Sequence, residues 1–129
     1  MIAPSASLYR IANPQSFSPT TTLVHTFPNV ESLLVIAELK PNLFVVVGTN
    51  ASVVVAIPGT GFLWSVEFSA SFSSPLITEV TALPQVSYPN GMSALPENDG
   101  AVLMADSTLG CIWYIDIHTK AVDIAVKLP

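Results

Sequence analysis

The chain has 129 residues and a mass of 13.7 kDa, enough for one domain. Nine acids against four bases give a formal charge of −5, which leaves no basic patch to neutralise phosphates and excludes nucleic-acid binding. A hydrophobic fraction of 50% beside a charged fraction of 10% excludes disorder and predicts elements buried on both faces. So little charge on so small a domain also predicts that the chain is a piece of something larger.

A membrane-spanning helix needs about 20 nearly continuous apolar residues. The longest apolar runs, Leu43 to Val47 and Val53 to Ile57, are short and are separated by Gly48-Thr49-Asn50-Ala51-Ser52, so no span is predicted. Met1 to Ala6 lacks a basic start and Arg10 interrupts the only early apolar stretch, so no signal peptide is predicted either. The single cysteine, Cys111, forbids an internal disulfide, and the sequence names no compartment. Asn50-Ala51-Ser52 is a glycosylation sequon, a triplet common by chance.

In chain order, the segments read as strands lie within Ser7 to Ile11, Thr21 to Phe27, Leu33 to Asn42, Leu43 to Asn50, Leu63 to Glu67, a run closing at Leu83, Gly91 to Asn98, Val102 to Ser107, Ile112 to Asp116, and a last run closing at Leu128. Runs of four to eight residues rich in Val, Ile, Thr and aromatics are bounded by Pro, Gly, Asn and Asp, the pattern of strands. The eleven prolines fall mostly at the borders of these runs, where a missing N–H is tolerated. Alternation is weak in Val45-Val46-Val47 and in Val53-Val54-Val55, as expected of strands covered on both faces. Leu43 to Val47 is also expected to be an unpaired edge strand and an aggregation hazard.

Three segments echo one another: Leu8-Tyr9-Arg10-Ile11, Leu63-Trp64-Ser65-Val66 and Ile112-Trp113-Tyr114-Ile115. Each leads to a β-rich run that closes on an apolar residue before proline, at Phe27-Pro28, Leu83-Pro84 and Leu128-Pro129. Leu33 to Asn42 similarly echoes Gly91 to Asn98, and Leu43 to Asn50 echoes Val102 to Ser107. The period is roughly 50 to 56 residues, with an insert from Ala51 to Gly61. A unit of four antiparallel strands repeated at this period predicts an all-β fold, an incomplete β-propeller of stacked four-stranded antiparallel sheets over residues 1–129. Its parts are a half blade at 7–28 and blades at 31–84 and 88–129. A ring needs at least about four blades, so the chain is expected to be a fragment whose exposed blade faces self-associate. Neither a Gly-Gly pair of kelch type nor a Trp-Asp strand end occurs.

The stretch from Tyr88 to Ile124 resembles the gluconolactonase, regucalcin and senescence-marker-protein family of six-bladed β-propellers. The likeness rests on Pro89-Asn90-Gly91, Ala105-Asp106-Ser107 and the aromatic strand Trp113 to Asp116. It covers about 40 residues well and the rest, back to Leu8, more weakly through the repeat. The resemblance implies a complete parent that hydrolyses a lactone-type substrate with a divalent, calcium-like cation in the central channel, polarising the carbonyl and activating a water. Asn90 matches one metal ligand of that family. The preceding blade should supply a second Asn, and Leu34 or Val35 stands in its place; neither can bind a metal. One ligand of about four is no site, so this chain alone is expected to bind no cation and to be inactive. The alternative is a non-catalytic propeller scaffold or binding protein that has lost the metal site.

Other residues have plainer readings. Pro89-Asn90-Gly91 also has the chemistry of a tight turn. Asp106-Ser107 is expected to hydrogen-bond backbone in an Asx-type turn, and Gly100 after Asn98-Asp99 to serve a turn. Trp64, Trp113 and Tyr114 are expected to pack between blades. His25 and His118 lack nearby partners for a metal. No Gly-x-Ser-x-Gly elbow, phosphate-binding glycine loop or HExxH is present.

Overall fold

The computed structural model describes residues 5–52, 55–69 and 74–129. Met1 to Pro4 of the leader reading and Val53-Val54 of the second apolar run lie outside the described residues. The fold is all-β: β1 (Ala6–Ala12), β2 (Thr20–Phe27), β3 (Ser32–Lys40), β4 (Leu43–Thr49), β5 (Ala51–Ser52), β6 (Val55–Ala56), β7 (Gly61–Glu67), β8 (Leu76–Leu83), β9 (Pro89–Ala94), β10 (Ala101–Asp106), β11 (Cys111–Asp116) and β12 (Val122–Lys127). Among the described residues there is no helix long and apolar enough to cross a membrane.

Two four-stranded antiparallel sheets carry the architecture: a middle sheet ordered β3-β4-β7-β8 and a third sheet ordered β9-β10-β11-β12. A leading hairpin, β1-β2, and a small hairpin, β5-β6, complete the list. The β5-β6 hairpin occupies the expected insert between β4 and β7. Asparagine lets the chain turn: Asn42 adopts φ 69° directly after Pro41 in the two-residue link between β3 and β4. Its amide donates to Glu38 Oε1 at 3.2 Å, so the turn residue is also held from the strand behind it.

The middle sheet is covered on both faces, which explains the missing alternation in β4. Val45 and Val47 join Leu63, Val80 and Leu83 in a cluster with Val102, Met104, Trp113 and Ile115 of the third sheet. Val46 points the other way, with Trp64 and Val66, into a cluster with Ala6, Phe27 and Val30 from the hairpin and its exit. All three valines are no more than 1% exposed. Successive side chains of a strand face opposite ways, so an unbroken Val run is what a doubly covered central strand requires.

β4 is not an edge. It pairs with β3 on one side and β7 on the other, so the expectation of an unpaired strand at Leu43 to Val47 is overturned. The order of strands in a sheet is not written in the hydropathy of any one of them. In the two large sheets the edges are β3, β8, β9 and β12.

The three sheets share a local irregularity. The pairing slips between Leu8 and Tyr9, between Leu63 and Trp64, and between Ile112 and Trp113. Each slip leaves one extra residue in the partner strand, Val24, Val80 and Ala125 respectively. The aromatic after each slip also fixes the correspondence of inner strands: Val46 pairs with Trp64 and Met104 with Trp113. Val46 therefore corresponds to Met104 and Gly48 to Asp106, one residue out from matching the ends Asn50 and Ser107 of the echo. With this offset, Trp64 faces the hairpin and Trp113 faces the middle sheet, each toward the sheet that precedes it in the chain. A one-residue error would have reversed those faces.

Candidate functional site

Pro89-Asn90-Gly91 lies in β9, the strand of the third sheet that packs against β3. It is not a tight turn. Met92 pairs with Met104 and Pro89 with Asp106, so Asn90 and Gly91 together face the single residue Ala105 in a β-bulge. Gly91 takes φ 113°, which L side chains rarely adopt, and so supplies the freedom that the bulge needs. The same Asn-Gly chemistry serves a turn or a bulge, and only the pairing distinguishes them.

The bulge leaves Asn90 exposed at the end of the sheet, where its Nδ2 donates to Ser107 Oγ at 2.8 Å. Ser107 follows the last residue of β10, and its backbone amide donates to the Tyr88 carbonyl at 3.0 Å. Amide and hydroxyl are both neutral. Leu34 and Val35, at the place of the second expected ligand, lie in β3; Val35 is in the core and Leu34 packs against it. Among the described residues, no three of His, Cys, Asp and Glu gather where they could hold a metal ion. Hard cations such as calcium take six to eight oxygens, with carboxylates among them, and Asn90 with Ser107 offers far less.

Asp106, next to this pair, accepts five hydrogen bonds. Oδ1 accepts the amides of Tyr88 at 3.1 Å, Thr108 at 3.1 Å and Leu109 at 3.0 Å. Oδ2 accepts the Ser87 amide at 2.7 Å and the Trp113 indole N–H at 3.3 Å. The bonds to Thr108 and Leu109 form the Asx-type turn read from the sequence. Those to Ser87 and Tyr88 tie the segment between the two sheets to the β10–β11 turn, and nothing local in the sequence signals them. Burial alone would raise the pKa of this carboxyl, but the amides of Ser87, Leu109 and Tyr88 and the Trp113 indole outweigh it. The net shift is below the ordinary 3.8. A carboxylate so fully occupied by fixed donors is a fastening, not a general acid or base.

A second cluster forms at the far end of the third sheet. Asn98 Nδ2 donates to the Tyr114 hydroxyl at 3.0 Å, and that hydroxyl lies 3.4 Å from Asp116 Oδ2. Asp116 Oδ1 accepts the amides of His118 at 2.8 Å and Thr119 at 3.0 Å. Asn98 Oδ1 accepts the Gly100 amide at 3.0 Å, the turn role expected there. Tyr114 sits half-buried on the face of the third sheet turned away from the middle sheet, hydrogen-bonded to polar neighbours and paired in the backbone with Leu103. Trp64 and Trp113 do lie between sheets. His25 stands edge-on to Phe27, ring centroids 4.8 Å apart, a packing role.

One open groove of about 300 Å³ lies between the leading hairpin and the middle sheet, lined by Leu8, Tyr9 and Arg10 on one side and Ile36, Phe44 and Phe68 on the other. By pairing, Ile36 and Phe44 correspond to Met92 and Val102. The third sheet covers the middle sheet with those two residues, whereas the two-stranded hairpin has no strand to reach Ile36, which is 49% exposed.

Cys111 is buried in the cluster between the two large sheets. Burial pushes its thiol up, the Asp106 carboxylate adds to the shift, and Lys127 opposes it. That is the setting of an inert core thiol. Compared with protein-family models and with curated proteins, the chain matches none.

Proposed function

We propose that the chain is a scaffold segment of an incomplete β-propeller, with the three sheets as successive blades, and that its part in any chemistry is confined to the rim position Asn90. The observation that carries this reading is the recurrence of one irregularity, the slip before Tyr9, Trp64 and Trp113, with the aromatic turned toward the preceding sheet where one exists. Same-handed stacking of equivalent sheets is what a propeller does. Asp106 and Asp116 are engaged by backbone amides, which supports support over catalysis.

The test is a calcium titration of the chain by calorimetry. The scaffold reading expects a dissociation constant no tighter than the order of millimolar, because neutral oxygens cannot repay dehydration of the ion. Micromolar binding would contradict it.

A second reading takes the parent to be a lactonase-like, metal-dependent hydrolase. The exposed position of Asn90 at the start of β9 favours it. In a parent that completes the ring with acidic ligands, Asn90→Ala then lowers metal affinity and lactone hydrolysis together. If affinity is unchanged by the substitution, Asn90 is a bulge residue only.

A further inference from the structure

Of the six asparagines in the chain, Asn90 alone is followed by glycine. Asparagine is chemically labile because the backbone nitrogen of the next residue can attack its side-chain carbon. That attack is easiest where the next residue has no Cβ and its backbone is free to turn. Both conditions meet at the β9 bulge. Neither Asn90 nor Gly91 has a register partner of its own, and both are exposed on a strand at the edge of its sheet. Apart from chain neighbours, no heavy atom stands within 4 Å of where a Cβ on Gly91 would be, so there is room for a ring to close. The hydrogen bond to Ser107 holds Nδ2, the nitrogen that would depart, and leaves Cγ, the carbon attacked, without a restraint of its own.

The other five asparagines are each obstructed. Asn13 precedes Pro14, which has no N–H to lose. Asn29 precedes Val30, a branched residue that is only 4% exposed. Asn42 precedes Leu43, which is paired with Lys40 on one side and Glu67 on the other. The Ala51 amide that follows Asn50 is bound to Glu31 Oε2 at 2.9 Å. Asn98 has both ends of its carboxamide engaged, one by Tyr114 and one by Gly100. The fold leaves one asparagine open to its neighbour.

We propose that Asn90 is a site of spontaneous deamidation in the folded chain. The Gly91 nitrogen gives up its proton and bonds to Asn90 Cγ; the Cγ–Nδ2 bond breaks, and ammonia leaves with that proton. Water then opens the succinimide ring. Cleavage of the ring bond to Cγ leaves aspartate, and cleavage of the bond to the Asn90 backbone carbonyl leaves isoaspartate. Either product adds one negative charge to the encoded −5. Either also gives the rim a carboxylate, an oxygen type that hard cations take and that Asn90 and Ser107 lack as encoded. The inference rests on the bulge and its surroundings, and neither on the propeller reading nor on lactone chemistry.

The test ages the chain in mildly alkaline buffer at body temperature, both native and in guanidinium. Ion exchange follows the acidic species, and peptide mass mapping locates the modified residue. Asn90→Asp marks where the aspartate product elutes, and far-ultraviolet circular dichroism checks that the native samples keep their strands. In the native chain, product at Asn90 should accumulate within about tenfold of the rate in denaturant, whereas a reaction that waits for global unfolding would be slower by about a thousandfold or more. Asn90→Gln, whose longer side chain closes the ring poorly, should lose the acidic species. The other five asparagines should stay intact over the same time. Three results overturn the proposal: Asn90 surviving in the native chain while the denatured chain reacts, a native product that maps to another asparagine, or the same acidic species arising in Asn90→Gln. The calcium titration is made on fresh chain and reads a separate property, so failure here and failure of the functional reading are distinguishable.

Discussion

Trp113 donates its indole N–H to Asp106 Oδ2 at 3.3 Å while the indole itself packs in the core between the two large sheets. One carboxylate thus links the core, the β10–β11 turn and the Ser87-Tyr88 segment that joins the sheets. Asp106→Ala leaves these donors without their acceptor and should cost about 3 kcal/mol, since buried N–H groups that lose a partner each cost about 1–3 kcal/mol. The folded carboxyl is held below its ordinary 3.8, so its contribution is present above that value and is lost as pH falls toward the folded pKa. Denaturant unfolding from neutral pH down to below about 4 should show the wild-type chain losing stability faster than Asp106→Asn, which has no proton to gain.

Thr49 is 2% exposed, and its Oγ1 has no hydrogen-bond partner among the described residues. A buried hydroxyl without a partner costs about 1–3 kcal/mol relative to water. Thr49→Val replaces it with a methyl of similar shape in a strand already rich in valine. The substitution should raise stability by about 1 kcal/mol, read as a higher denaturant midpoint at unchanged slope.

Cys111 should be protected by burial and by its raised pKa. Thiol labelling of the native chain should be slow and should follow the rate of opening. The same reagent should label it at once in denaturant.

Much of this architecture is legible in the sequence because it depends on local composition. Val45-Val46-Val47 announces a strand covered twice, and the aromatic segments at Tyr9, Trp64 and Trp113 announce a repeat. The order of strands is not local, which is why β4 reads as an edge until its two partners are seen. Pro89-Asn90-Gly91 reads as a turn because the residues that tolerate positive φ in a turn also tolerate it in a bulge; the register against Ala105 decides. The Asx turn of Asp106 is visible from Asp-Ser-Thr, but its bonds to Ser87 and Tyr88 span 19 and 18 residues and leave no pattern. Strand alternation sends Tyr114 to the opposite face from Trp113, and its hydrogen bond from Asn98, 16 residues away, leaves no pattern either.

The equivalence of the three sheets is most directly measured by one substitution at three corresponding positions: Phe27→Ala, Leu83→Ala and Leu128→Ala, each unfolded in denaturant at a concentration where the chain is monomeric. Phe27 and Leu83 are buried by the sheet that follows each, whereas among the described residues no sheet covers Leu128, which is 63% exposed. The stacked-repeat account predicts losses of about 3 kcal/mol or more at Phe27 and about 2–5 kcal/mol at Leu83, with a change within about 0.5 kcal/mol at Leu128. A loss at Leu128 as large as at Leu83, or near-neutral changes at Phe27 and Leu83, would contradict it.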